Sequence, residues 1–224
     1  MYADVDHLVI AAASLAEGVA WCEATLGVTP EPGGEHPLMG THNRLLCIGT
    51  AQFPTAYLEI IAINPAAPPP SRTRWFDLDD AALRRAVQQG PRLVHFVAAT
   101  SSATLALRAL DHLGIDRGSL LSAERPTPLG LLRWQISVRD DGQRLFYGAL
   151  PTLIEWGDVH ATDSLPESPV ALLALTATHP RPDDLAAAYE AIGLEGVDVH
   201  AGPPGLCATL ATPLGTVTLE SKGL

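Results

Sequence analysis

The chain of 224 residues writes one pattern three times. An apolar strand leads into an amphipathic helix that stops at a Gly-hydrophobic pair, and a later strand closes in Leu-Glu or Ile-Glu. The first strands are Asp6-His7-Leu8-Val9-Ile10, Leu93-Val94-His95-Phe96-Val97 and Leu172-Leu173-Ala174-Leu175. The helices stop at Leu26-Gly27-Val28, Leu113-Gly114-Ile115 and Ile192-Gly193-Leu194, and the closing strands end at Glu59, Glu155 and Glu220. A repeated supersecondary unit fixes an architecture before any single motif is weighed. It also sets histidines and glutamates at equivalent places.

Periodicity gives the local structure. His7, Val9 and Ala11 alternate with Leu8, Ile10 and Ala12, so His7 lies on the opposite strand face from Leu8. Ser14 and Glu17 form a capping box, and Leu15, Val19, Cys22 and Leu26 line one helix stripe. Gly27 suits the left-handed position after that helix. Pro182-Asp183-Asp184 opens the third helix. Each unit reads as β-α-β-β, with one further strand in units two and three. Asn64 to Pro70 is a Pro/Ala-rich linker, after which Trp75 to Gln89 reads as an inserted helix, acidic in its first half and carrying Arg84-Arg85 in its second. Gly157 to Pro169 is the clearest boundary, dividing a two-unit body over 1–157 from a third unit over 168–224.

Composition excludes several classes. Fourteen basic against 25 acidic residues give a net charge of −11, with no basic patch for nucleic acid. No apolar run reaches the ~20 residues of a membrane span. The acidic N-terminus runs straight into a strand and reads as no signal peptide. Cys22, Cys47 and Cys207 are odd in number and set in apolar surroundings, as in a protein of the reducing cytoplasm. An odd third unit, with an unpaired edge and apolar face, would seek a second copy and make a homodimer. No phosphate loop, dinucleotide fingerprint or nucleophile elbow is present.

The polar residues of the strands suggest a site. Glu59 shares a strand face with Tyr57 and Ile61, while His95 and Glu155 hold the matching places in unit two. If two units join into one curved sheet, His7, Glu59, His95 and Glu155 could converge on its concave face. Two imidazoles and two carboxylates would bind a divalent first-row ion, with a carboxylate, Glu155 or Glu59, shuttling a proton beside it.

These residues, with Gly40-Thr41-His42-Asn43, Tyr57-Leu58-Glu59-Ile60 and Gly148 to Trp156, make the chain resemble the vicinal oxygen chelate superfamily, and within it the glyoxalase-like domain proteins. The resemblance implies an α+β fold of repeated βαβββ units, a curved mixed sheet with helices on its outer face. It implies His7 and Glu59 as metal ligands in the first unit, with His95 and Glu155 matching in the second. The ion would be Zn, Ni, Mn, Co or Fe. The third unit has no first-strand histidine and offers only Glu220.

The expected function is a metal-assisted isomerase, lyase or dioxygenase acting on a small oxygen-rich molecule. The alternative is a metal-free protein that binds a small molecule in the same cavity. His36, His42 and Asn43, in a Gly-rich segment entering a strand, would contact the ligand, as would Trp134. Arg133 would then point away from the cavity. Arg125, in the run leading to that strand, could orient a carboxylate, whereas His160, His179 and His200 read as incidental.

Overall fold

The computed structural model of the chain describes residues 2–127 and 130–221. β1 (Ala3–Ala11) leads into α1 (Leu15–Leu26), where Ser14 Oγ accepts the Glu17 N–H at 3.2 Å and Gly27 closes the far end at φ +74°. β2 (Glu31–His36), β3 (Thr41–Cys47) and β4 (Tyr57–Ile63) complete the first unit. After α2 (Ala81–Val87), the second unit runs through β5 (Arg92–Thr100), α3 (Ala103–His112), β6 (Ser119–Thr127), β7 (Gly130–Val138) and β8 (Thr152–Trp156).

The two units join through their first strands, antiparallel, into a mixed sheet of order β2-β3-β4-β1-β5-β8-β7-β6. In each unit the first strand pairs in parallel with the last. Leu8, Ile10, Leu58, Ile60, Phe96 and Leu153 pack with α1 and α3 in one core on the outer side. Val9, Ile61, Val97 and Ile154 face the concave side. The expected α+β fold with outer helices is therefore the one observed.

Unit one also has its further strand, β2, where the sequence offers only Glu31-Pro32-Gly33-Gly34-Glu35-His36. Its glycines let the backbone approach β3. Gly34 N–H donates to Asn43 Oδ1 at 2.7 Å, and a Cβ at Gly33 would collide with that oxygen. The inserted segment is helical only over Ala81–Val87. Phe76 and Asp77, just before it, adopt φ of +57° and +56° in a tight turn. Trp75, Phe76, Leu78, Leu83 and Val87 then cover part of the concave face.

The third unit repeats the element order but not the pairing. β9 (Ala171–His179), α4 (Pro182–Ile192), β10 (Val197–Ala201), β11 (Gly205–Thr212) and β12 (Gly215–Glu220) form a sheet of order β10-β9-β11-β12. β9 pairs in parallel with β10, and β12 with β11 alone, so Glu220 is not the counterpart of Glu59. Leu172, Leu175, Tyr189, Ile192 and Leu210 belong to the same core as Leu8 and Phe96. Leu172 N–H donates to Ile48 O at 2.8 Å, Ala3 N–H to Gly193 O at 2.9 Å and the Tyr189 hydroxyl to Ala149 O at 2.6 Å. The apolar face expected to seek a second copy is thus covered within the chain. Among the described residues no helix is long and apolar enough to cross a membrane.

A chain ending at Trp156 should therefore expose the outer face of the large sheet. We expect it to bind a hydrophobic dye and to lose the cooperative urea transition of the full chain. A monomeric, cooperatively unfolding 1–156 fragment would show instead that the body is self-sufficient.

Candidate active site

The pairing of β1 with β5 slips twice. Val5 pairs with Ala98 and His7 with Val97, leaving Asp6 as an extra residue. Val9 pairs with His95 and Ile10 with Leu93, leaving Val94 extra. A bulge re-aims the side chain it displaces. In simple alternation Asp6 would oppose His7, yet its Oδ1 lies 2.5 Å from His7 Nδ1. Asp6-His7 and Val94-His95 are therefore counterparts with different chemistry.

Asp6 is fully buried and ringed by donors. Its Oδ2 accepts from Trp156 Nε1 at 2.7 Å and from His160 Nε2 at 2.9 Å. His160 in turn accepts the Thr162 N–H at its Nδ1, which leaves its Nε2 as the donor. Burial works against ionisation of Asp6, but the hydrogen bonds from His160 and His7 outweigh it and hold the carboxyl well below its usual range. With Nδ1–H committed to Asp6, His7 presents its Nε2 lone pair 3.7 Å from Glu59 Oε2. Its ring stacks on Tyr57, centroids 4.5 Å apart.

Glu59 is buried, and Asn43 fixes it: Asn43 Nδ2 donates to Glu59 Oε1 at 2.6 Å. The same amide lies 3.4 Å from His36 Nε2, and the other nitrogen of His36 is 3.0 Å from Thr41 Oγ1. Burial lowers the His36 pKa, while the Glu59 charge opposes that shift. A neutral His36 accepting from Asn43 and donating to Thr41 satisfies all three groups.

Unit two contributes differently than its sequence suggests. Val9 pairs with Glu59, but its counterpart Val97 pairs with Thr152, so Thr152 takes the place of Glu59. The Ile-Glu ending lies three residues beyond. Glu155 sits on the helix side with Leu153, where its Oε2 accepts the Ala103 N–H at the start of α3 at 2.8 Å. His95 does face inward, but both its nitrogens are used. Nδ1 donates to Gly148 O at 2.8 Å, and Nε2 accepts the Thr152 N–H at 3.0 Å. Burial, then the nearby Arg117 charge, pushes the His95 pKa well down.

The four-ligand centre expected of His7, Glu59, His95 and Glu155 is accordingly not assembled. Among the described residues no three His, Cys, Asp or Glu side chains are placed to hold one ion. The free donor atoms that face each other are His7 Nε2 and Glu59 Oε2, so the residues present do not fit the full centre. His42 also departs from expectation. It alternates with Asn43 along β3 and lies against Ala12, Ser14 and Ile63 beyond the cup.

Trp134 lines the cavity, its ring centroid 5.8 Å from that of Trp156, while Arg133 is exposed and pairs with Glu124 at 3.2 Å. The cavity measures about 40 Å³ and holds His7, His36, Glu59, Trp75, Arg125 and Trp134 in its wall. A neighbouring space of about 60 Å³ shares His36, Trp75, Trp134 and Ile136. Asp6, Trp156 and His160 escaped the sequence reading because a bulge and a loop beyond β8 bring them in.

The sequence profile of the glyoxalase-like domain matches residues 5–193. The chain belongs to the glyoxalase-like domain family. Its fold is that of the vicinal oxygen chelate superfamily. A hypothetical protein from Staphylococcus aureus is similar over 90% of this chain and 87% of its own, at 13% identity and a TM-score of 0.60. Methylmalonyl-CoA epimerase from Streptomyces coelicolor, solved with 2-nitronate-propionyl-CoA, is similar over 70% of this chain and 96% of its own, at 18% identity and a TM-score of 0.44. At these identities the likeness is one of fold. No curated protein matches the sequence significantly.

Because folding holds Asp6 ionised below its ordinary value of 3.8, the unfolded chain takes up the proton first as pH falls. The stability that Asp6 contributes is thus full above that value and lost as pH drops toward the folded one. Asp6→Asn should cost about 2–4 kcal/mol at neutral pH. Urea unfolding should show the gap to wild type narrowing below about pH 4. A gap unchanged by acid would mean that the carboxylate charge does not hold the network.

Proposed function

We propose that this glyoxalase-like protein is an enzyme that moves a proton on a small oxygen-rich substrate, with His7 as the base. The observation that carries this is the buried Asp6–His7 pair, 2.5 Å apart, with Nε2 left bare toward a cavity. A carboxylate on Nδ1 fixes the tautomer and steadies the imidazolium that forms. The substrate C–H beside a carbonyl breaks, its proton passes to Nε2 and its electron pair moves to the carbonyl oxygen. Return of the proton from Nε2 to the same carbon, on either face, completes an exchange or epimerisation. Glu59 faces the charged ring and stabilises it further, and Asn43 holds Glu59 in that position.

The divalent ion implied by the superfamily could draw only His7 Nε2 and Glu59 Oε2 from this chain, and an Nε2 held by an ion could not also take the substrate proton, so the ion and His7 as free base exclude each other. When bound, such an ion polarises vicinal substrate oxygens. Asp6 would then be the outer carboxylate that orients the ligating histidine. The opposing wall, built from Ile136, Ile154, Trp134 and Trp156, adds no further ligand.

Proton transfer is measured by deuterium entry from D₂O into small 2-oxo and 2-hydroxy compounds, followed by NMR. His7→Asn should slow exchange by about 10²–10⁴-fold while leaving the urea transition cooperative. Exchange that survives His7→Asn would sink the assignment of the base. Elemental analysis decides between the two: about one ion per chain, lost in Glu59→Gln, would place Nε2 on the ion and reject His7 as the free base.

A further inference from the structure

Among the described residues, Arg125 stands in the cavity wall without a partner. It lies on β6, the edge strand of the large sheet, where it pairs with Leu132 of β7. Its side chain is half-buried and lines the same space as His7, His36 and Glu59. Among the described residues no hydrogen bond or ion pair reaches its guanidinium. The acid next to it in sequence, Glu124, is taken by Arg133, and Asn43 holds Glu59. The charge of Arg125 is felt by His36 and Tyr57, two walls of the cavity. Gly34 makes room for it, since a Cβ there would stand 2.5 Å from Arg125 Nη1.

An unpaired half-buried guanidinium forgoes charge-assisted bonds, a deficit that an anion with several acceptor oxygens removes. The cavity and its neighbour suit a compound of few atoms.

We propose that Arg125 is the carboxylate-binding residue of this cavity, and that the substrate is a small 2-oxo or 2-hydroxy acid. The assignment deepens the reading of His7 as base and rests on it only for which carbon reacts. A planar guanidinium binds a carboxylate through two parallel N–H···O bonds and leaves the rest of the molecule, including the C–H beyond the ketone of a 2-oxo acid, free to face His7.

The probes are pyruvate and its neutral isostere pyruvamide, followed by quenching of the cavity tryptophans. Wild type should bind pyruvate at least about 10-fold more tightly than pyruvamide. Arg125→Gln should remove that preference with the fold intact, and Arg125→Lys should restore part of it. Equal binding of the two probes by wild type overturns the proposal, as does a preference that survives Arg125→Gln or failure of both probes to bind at millimolar concentration. Deuterium entry into the pyruvate methyl group, compared in wild type and His7→Asn, is read separately. An Arg125-dependent preference without His7-dependent exchange upholds the carboxylate site while rejecting the base. Exchange that depends on His7 but ignores the substrate carboxylate upholds the base and rejects Arg125.

Discussion

A carboxylate that has lost all contact with water is tolerable only when its oxygens are fully occupied, and Asp6 meets that condition through residues far away in the chain. Its donors are His7 on its own strand, Trp156 at the end of β8 and His160 just beyond. β5 lies between β1 and β8 in the sheet, so the network spans a strand and ties the first strand of unit one to the last of unit two. Removing any donor leaves a buried charge underpaired, which makes the arrangement all-or-none. The orientation of His7 and the position of the Trp156–Trp134 wall opposite it are thereby set together.

The two units keep one scaffold but divide the work. Bulges fall before His7 and before His95, which puts Asp6 and Val94 in matching places. Thr152 stands where Glu59 stands in unit one. Unit two has thus kept its histidine while lacking both carboxylates, and a cation occupies the vacated chemistry. Arg117 is buried, donates to Pro151 O at 2.8 Å and to Thr152 Oγ1, and has its pKa pushed down to about 10 by burial. A histidine beside that charge, its lone pair already accepting a backbone N–H, cannot take a proton cheaply. Of the two inward histidines, only His7 in unit one keeps a free ring nitrogen, while unit two adds Arg125 and Trp134 to the cavity wall.

Much of the fold was legible because repetition and capping are local signals. Ser14, Gly27 and Pro182 marked helix ends correctly, and alternation in β1 placed His7 opposite Leu8. What escaped was pairing. The Leu-Glu and Ile-Glu endings look alike, yet register rather than spelling decides equivalence, and Glu155 falls three residues late and on the wrong face. β2 was invisible because its glycines are selected for close approach rather than hydropathy. Asp6 was hidden by a bulge that no alternation rule anticipates. His160, dismissed as a loop residue, acquires its role only when the loop folds back on β1. The Gly40-Thr41-His42-Asn43 stretch was informative for Asn43 and misleading for His42, since neighbours on a strand face opposite ways.

Access to the cavity falls to the inserted segment rather than to the cup. The sheet walls are held by continuous ladders, whereas Trp75 and Phe76 belong to a turn with two non-glycine residues at positive φ, a conformation that costs about 1–3 kcal/mol each. That turn is held at several places: Asp77 pairs with Arg144 at 2.9 Å, its N–H reaches Gly142 O at 3.0 Å, and the Phe76 ring lies 5.3 Å from that of His95. Arg144 in turn donates to Val94 O at 2.8 Å, on the bulge that precedes His95. The second unit therefore anchors the segment that covers part of the concave face. The strain of that turn is therefore held in place by the same contacts that seat Trp75 and Phe76 over the concave face beside His36 and His95.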